Sequence, residues 1–366
     1  MLSKEELQRY NRHILLTEVG ISGQEKLKNA KILVVGAGGL GCPVLQYLSA
    51  AGVGNIGIID GDTVSISNLQ RQILYNSDDI GKSKVETAAK KLSVLNPNIK
   101  FTTYVENLAK ENAIEVLKDY DIIVDGSDNI PTRLLINDAS IILKKPFVYG
   151  AIYKFSGQVS VFNFKKGPSY RCLFPEAESN IDIPDCSTIG VIGVIPGIIG
   201  LIQANEVIKI IIQKGEVLNG KLFQIDTLNF STDLISFGRS NEFTNITELG
   251  EYGEICSSIK NDININTITA EELKTRIDNK ENIKIFDLRP KELFDNYNIG
   301  GSLIDIEKIL FETDLVPKDK IVIILCEVGE NSLAVTEYVQ TPKNFKNVFN
   351  LKGGMQLWLE KFDVIS

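Results

Sequence analysis

Three glycines, Gly36, Gly38 and Gly41, follow the apolar run KILVV in the pattern G-x-G-x-x-G, with Gly39 between them. Glycines so spaced let the backbone turn tightly and approach a pyrophosphate at a helix N-terminus. Asp60 ends the next apolar run, 19 residues past Gly41, where a carboxylate can accept ribose hydroxyls. This much indicates a nucleotide and leaves an NAD-dependent oxidoreductase open. The residues after Asp60 bear on the choice. Ser67, Asn68, Leu69, Gln70 and Arg71 share one loop in SNLQRQ, Lys84 opens the next helical stretch, and Asp128 and Asn129 lie in DGSDN after the fourth strand. Arginine and lysine balance phosphate charge and a carboxylate holds a hard cation. Together they favour ATP with Mg²⁺, Asp128 taking the metal, over a nicotinamide.

The five cysteines, Cys42, Cys172, Cys186, Cys256 and Cys326, are far apart and form no C-x-x-C pair. A disulfide framework or a four-cysteine zinc site is not expected, and free thiols fit a cytoplasmic protein. Cys42 opens the helix after the glycine turn and reads as core. Cys186, in PDCSTIG, is open between a small buried side chain and a reactive thiol. Cys326 ends the apolar run KIVIIL and begins CEVGENS, a loop running into a helix. Such a loop aims backbone N–H groups inward and can stabilise a thiolate or persulfide. The single histidine, His13, leaves almost no candidate for a His-dependent triad.

The elements that must position these residues form two α/β patterns. In the first, strands at 31–35, 55–60, 100–105, 121–125 and FVYGA alternate with helices, including 82–96, which stops at Pro97, and about 131–143. That rhythm predicts a doubly wound, Rossmann-like, mostly parallel sheet covered on both faces. GQVSVFNF, KLFQID and TDLISF lack intervening helices of the same rhythm and are expected to add antiparallel strands on one side. Residues 239–263 are polar and aperiodic and read as a linker between a domain at 1–238 and a smaller α/β domain at 264–366. In the latter NIKIFDLR, KIVIILC and NVFNL read as strands, and PKELFDNYN, NSLAVTEYV and MQLWLEKF as helices.

A net charge of −8 argues against a general nucleic-acid binder, which needs a basic face. The opening MLSKEELQRYNRHILL has neither a long apolar core nor a small-residue cleavage site, so no secretory signal is expected. The most apolar stretch, residues 189–202, is shorter than a membrane span and broken by Pro196 and glycines, and reads as a buried loop and helix start. No membrane partner is expected.

RYNRHILL, GAGGLG, IDGDTVSISNLQRQ, GKSK, DGSDN, YRCLFP and DCSTIGVIGVIPGIIG, in order over about residues 1–238, resemble the bacterial MoeB/ThiF adenylyltransferases, relatives of ubiquitin-activating enzymes. The resemblance implies a homodimer that uses ATP and Mg²⁺ to adenylate the Gly-Gly carboxylate ending a ubiquitin-like sulfur carrier (MoaD- or ThiS-like). It implies nucleotide contacts from Gly39, Asp60, Ser67 to Arg71 and Lys84, magnesium at Asp128 beside Asn129, and Arg12 reaching across the dimer to the partner's triphosphate. Cys186 matches a family cysteine that forms a thioester or acyl-disulfide with the carrier. Many members bind zinc through two C-x-x-C pairs. Here the first pair would be Ser169 and Cys172, and nothing near residue 240 supplies the second, so no zinc is expected.

FDLRPKELFDNYNIGGS and VFNLKGGMQLW, with the Cys326 loop, resemble a rhodanese domain over about residues 264–366, with Cys326 at the persulfide position. Asn331 stands where common rhodaneses carry arginine, which implies weak use of thiosulfate. Asp287 and Arg289 read as framing the fold or the loop. The implied outcome is a carrier thiocarboxylate in molybdopterin or thiamine synthesis, with a persulfide donor such as a cysteine desulfurase. A non-catalytic, carrier-binding scaffold remains the other reading.

Overall fold

The computed structural model describes residues 1–175, 190–252, 265–312, 315–340 and 345–362. They fall into two units, each taken by itself: 1–175 with 191–252, and 265–362.

The first unit is built on an eight-stranded sheet. Its strands are β1 (Lys31–Val35), β2 (Asn55–Ile59), β3 (Lys100–Tyr104), β4 (Ile122–Asp125), β5 (Phe147–Tyr153), β6 (Ser156–Phe162), β7 (Lys221–Asp226) and β8 (Ser231–Ser236), in the order β3-β2-β1-β4-β5-β6-β7-β8. Pairings from β3 to β5 are parallel and those from β5 to β8 antiparallel, as expected of the added strands. The two-residue period of a strand sends Ile32 and Val34 to one face and Leu33 and Val35 to the other, and each face has its own core. Helices Gly41–Ala51, Lys84–Leu95 and Val194–Ile212 cover the first face; Lys110–Leu117 and Ile130–Ile142 cover the second. The carboxyl ends of β1, β2 and β4 therefore open where the order reverses, the usual place for a ligand in such sheets.

Two readings change. From Val194 the apolar stretch enters a 19-residue helix, Val194–Ile212, long and apolar enough to span a bilayer by length and composition. It serves as a core helix: Ile195, Ile199, Ala204 and Val207 are buried, and Gln203 donates to the carbonyls of Asp125 (2.7 Å) and Val148 (3.2 Å). The segment read as a linker from residue 239 is packed on the first unit as far as Tyr252. Tyr252 is 5% exposed and its hydroxyl donates to Asp138 at 3.0 Å, while Ser240 and Phe243 bond to Cys172 and Ser169. Polar, aperiodic sequence looks unstructured because its anchors are single long-range contacts. The remainder, with Cys256, lies outside the described residues, as does Cys186.

The second unit has a five-stranded, wholly parallel sheet of β9 (Thr267–Ile268), β10 (Ile283–Asp287), β11 (Ser302–Leu303), β12 (Ile321–Leu325) and β13 (Val348–Leu351), in the order β11-β10-β12-β13-β9. The β-branched run IVIIL forms the central strand, its alternate residues feeding separate cores on the two faces. Strands β9 and β11 have two residues each, too short for a periodic signal.

Candidate functional site

The loop between β1 and helix Gly41–Ala51 holds Gly36, Gly38 and Gly39. A Cβ on Gly41 would fall 2.0 Å from the carbonyl oxygen of Gly36, so only glycine closes this turn. Asp60, just past β2, pins the loop: one carboxylate oxygen accepts the N–H of Ala37 (2.8 Å) and the other that of Asp62 (2.8 Å). Each oxygen keeps a lone pair for a ribose hydroxyl. Burial pushes the Asp60 carboxyl up, opposed by the Lys84 ammonium and by those two N–H groups.

Lys84 begins helix Lys84–Leu95, is 5% exposed, and donates to Asp62 Oδ2 at 2.7 Å. The Tyr75 hydroxyl lies between the carbonyls of Ala37 (2.9 Å) and Lys84 (3.2 Å), tying the glycine loop to that helix. The Ser67–Arg71 loop adjoins the glycines: a Cβ on Gly39 would lie 3.6 Å from Arg71 Cδ, and one on Gly38 3.5 Å from Gln72 Nε2. Arg71 donates to the carbonyl of Ser67 (3.1 Å), Asn68 accepts the N–H of Ser65 (3.1 Å), Leu69 packs on the core and Gln70 is exposed. Gln72, 3% exposed, has an Oε1 without a hydrogen-bond partner, an orphan acceptor beside the glycine loop. Cys42 is buried beneath the loop with its thiol pushed up to about 12 by burial, so it belongs to the core.

After β4, Asp128 is exposed and Asn129 caps helix Ile130–Ile142, accepting the N–H of Thr132 at 2.9 Å. Asp125, which ends the strand, is fully buried and escaped the sequence reading. Its Oδ1 accepts the N–H (3.0 Å) and hydroxyl (2.6 Å) of Ser127, and its Oδ2 faces Arg133 Nε at 3.7 Å. Burial pushes its carboxyl up against the pull of Arg133 and Ser127. Arg133 donates to the carbonyl of Ser127 (3.1 Å) and lies over the Tyr149 ring. The pair braces the short loop that presents Asp128. An acid ending an all-apolar strand was the available signal. Arg12 stands apart, exposed on the short helix Asn11–Ile14.

Ser169 and Cys172 form a hydrogen-bonded knot. The Ser169 hydroxyl donates to the carbonyl of Phe243 (2.7 Å), and Cys172 Sγ accepts the N–H of Ser240 (3.3 Å). Beside it Asp138 takes two hydrogen bonds from Arg171 (2.9 and 2.8 Å) and one from Tyr252. Among the described residues no three His, Cys, Asp or Glu side chains are grouped to hold a metal ion.

In the second unit Cys326, 4% exposed, directly follows β12. Its Sγ accepts the N–H of Gly329 (3.2 Å), the N–H of Ser332 (3.3 Å) and the hydroxyl of Ser332 (3.2 Å). Three donors on one sulfur suit a sulfur anion. The loop is held from below by Met355 and Gln356, whose N–H groups donate to the carbonyls of Cys326 and Glu327 (2.9 Å each). A Cβ on Gly354 would sit 2.5 Å from the Cys326 carbonyl oxygen, which accounts for a glycine there. Asn331 is exposed at the start of helix Glu330–Gln340. Asp287 and Arg289 form a buried bidentate pair.

A strand–glycine turn–helix nucleotide crevice and a separate cysteine cradle define an activator fused to a sulfur-handling domain. Residues 10–244 match the profile of the ThiF family and 269–361 that of the rhodanese-like domain. The chain belongs to the ThiF family and carries a C-terminal rhodanese-like domain. It is 37% identical over 373 residues to the probable adenylyltransferase/sulfurtransferase MoeZ of Mycobacterium tuberculosis, covering 98% of this chain and 94% of that one. It is 36% identical over 390 residues to adenylyltransferase and sulfurtransferase MOCS3 of Culex quinquefasciatus (99% and 89%). It is 49% identical over 234 residues to the sulfur carrier protein adenylyltransferase of Thermus thermophilus (63% and 86%). Among solved structures, Escherichia coli MccB with ATP aligns with a TM-score of 0.59 at 24% identity, over 67% of this chain and 75% of that one, a likeness of fold.

Proposed function

We propose that the chain adenylates the C-terminal Gly-Gly carboxylate of a ubiquitin-like sulfur carrier with ATP and then delivers sulfur through Cys326 to make a thiocarboxylate. One observation carries the first step: the pinned glycine loop, Arg71, the buried Lys84 and the exposed Asp128 converge at the carboxyl ends of β1, β2 and β4. The glycine loop receives the nucleotide phosphates, and Asp60 orients the ribose. Arg71 and Lys84 neutralise charge that develops as the carrier carboxylate attacks the α-phosphorus. Asp128 would hold the Mg²⁺ that accompanies ATP, adding charge neutralisation at the departing pyrophosphate. No protein base is required, because the carboxylate is already the nucleophile. A nicotinamide cofactor has no comparable use for the paired cations.

For the second step, a persulfide on Cys326 attacks the acyl-adenylate carbonyl and AMP leaves, giving an acyl-disulfide. Attack by Cys186 on the Cys326 sulfur releases the thiocarboxylate and leaves a disulfide for a cellular thiol to reduce. Carrying both functions on one chain raises the local concentration of sulfur donor at the adenylate. We assign the working form as a homodimer in which Arg12 reaches the partner's nucleotide, the donor as a persulfide-bearing protein such as a cysteine desulfurase, and the compartment as the cytoplasm, which suits the free thiols Cys42, Cys172 and Cys326. A molybdopterin-type carrier is the preferred substrate, in line with a relative named probable molybdopterin-synthase adenylyltransferase in Porphyra purpurea, 39% identical over 364 residues.

The test is ATP–pyrophosphate exchange with MoaD-like and ThiS-like carriers ending in Gly-Gly. Carrier-dependent exchange that is lost in Asp128→Ala supports the reading and ranks the carriers. Bound ATP without exchange by either carrier would leave a scaffold or another acyl substrate.

A further inference from the structure

A guanidinium has five N–H donors. In Arg289, itself 5% exposed, Nε and Nη2 are committed to Asp287, at 3.1 and 2.8 Å, and Nη2 also donates to the Tyr297 carbonyl at 2.7 Å. The remaining nitrogen, Nη1, faces Glu327 Oε2 at 3.7 Å. That oxygen is buried and makes no hydrogen bond, while the Glu327 side chain as a whole is 47% exposed. Glu327 directly follows the nucleophile, and no cation occurs between Cys326 and Gln340. The rim of the loop carries Glu327, Glu330 and Asn331 with the exposed apolar side chains of Val328 and Leu333. The supporting turn carries Lys352, which is exposed.

We propose that Glu327 is a donor-selecting residue: its carboxylate occupies the free edge of Arg289 as a built-in anion and so excludes small polyanionic sulfur donors from Cys326. The proposal rests on the reading that Cys326 accepts sulfane sulfur. A donor such as thiosulfate needs a cationic fork, and the guanidinium that faces the residue next to this cysteine already meets a carboxylate that repels such a donor. A persulfide on a thiol carrier needs no such fork. The Cys326 thiolate attacks the outer sulfur of R–S–S–H, a new S–S bond forms on Cys326, the donor's S–S bond breaks, and R–S⁻ leaves. The hydrogen stays on the transferred sulfur and no net oxidation occurs. The donor class is therefore a persulfide without excess negative charge, presented by a surface that complements two carboxylates and two apolar side chains.

The experiment measures persulfide formation on Cys326 of the full chain by mass, in single turnover, with thiosulfate and with cysteamine persulfide, whose charges cancel. Glu327→Gln keeps the shape and Glu327→Asp keeps the charge. Thiosulfate loading should rise at least about tenfold in Glu327→Gln relative to the wild type, because one like-charge contact is removed. Loading from cysteamine persulfide should change by less than about twofold, and Glu327→Asp should retain most of the discrimination. Equal changes with both donors, or no gain with thiosulfate, would overturn the selecting role while leaving Cys326 as the acceptor. No loading from either donor in any form would overturn the acceptor reading itself, and the proposal with it.

Discussion

Lys84 Nζ lies 2.7 Å from Asp62 Oδ2, the lysine almost wholly buried and the aspartate side chain 68% exposed. A buried ammonium is thus paired with a neighbour that water can reach and that a phosphate can displace. In Asp62→Ala the unliganded first unit should lose on the order of 1–2 kcal/mol, because the pair is half open to solvent. The same variant should gain more thermal stabilisation from Mg-ATP than the wild type, since no internal anion competes. A smaller ATP-induced shift in the variant would contradict this.

Asp125 makes the first unit's stability depend on pH with a definite sign. Burial raises its carboxyl in the folded state, so between the unfolded carboxylate range and that raised value the folded form binds more protons. Stability contributed by the protonated group is present below the unfolded value and is lost as pH rises through the window. The neutral isostere in Asp125→Asn lacks this loss. Urea unfolding from pH 4 upward should therefore show the wild type losing ground steadily against the variant; a gap independent of pH would refute the assignment.

Asp138 joins Arg171 and Tyr252 beside the Ser169–Cys172 pair. Asp138→Ala removes the acceptor of two Arg171 hydrogen bonds and of the Tyr252 hydroxyl and should cost about 1.5–3 kcal/mol, read as a lower midpoint for the first unit's transition. Zinc should not restore it, and metal analysis of the wild type should find no stoichiometric zinc. Zinc at one equivalent per chain would mean that the hydrogen-bonded knot of Ser169 and Cys172 is not what holds this region.

The two chemical steps should separate cleanly. Cys326→Ala should abolish thiocarboxylate formation and leave carrier-dependent pyrophosphate exchange unchanged. Ser332→Ala, which removes one donor 3.2 Å from the sulfur, should slow persulfide loading of Cys326 about tenfold, the usual worth of a hydrogen bond to a charged group. Normal thiocarboxylate yield from Cys326→Ala with the same donor would exclude transfer through this cysteine.

Legibility in the sequence tracks the range of the forces involved. KILVV, DIIVD and KIVIILC announce buried strands because β-branched residues and a two-residue period act locally, and G-x-G-x-x-G announces its turn because only glycine fits Gly41. Arg71, Lys84 and Asp128 can be grouped because a doubly wound sheet brings strand ends together. Pairings set by tertiary contact stay hidden: Asp62 with Lys84, Asp125 with Arg133, Glu327 with Arg289, and Tyr252 with Asp138, the last 114 residues apart. DLR alone points to a framing role for Asp287 and Arg289. Their bidentate geometry, and the nitrogen left over for Glu327, emerge only in three dimensions.

Helix Val194–Ile212 also sets a schedule for synthesis. The strands it covers, β4 to β6, are all translated before it, and Gln203 supplies bonds to the carbonyls of Asp125 and Val148. At ordinary ribosomal speeds the chain from Asp125 to Ile212 takes on the order of ten seconds to appear. Throughout that interval the part of that face over β5 and β6 stays bare. The most apolar helix of the chain then emerges and must find that face before it meets a membrane or another nascent chain. The newborn protein is for those seconds a natural client for holding chaperones, and slowing translation just upstream of residue 194 should increase that dependence.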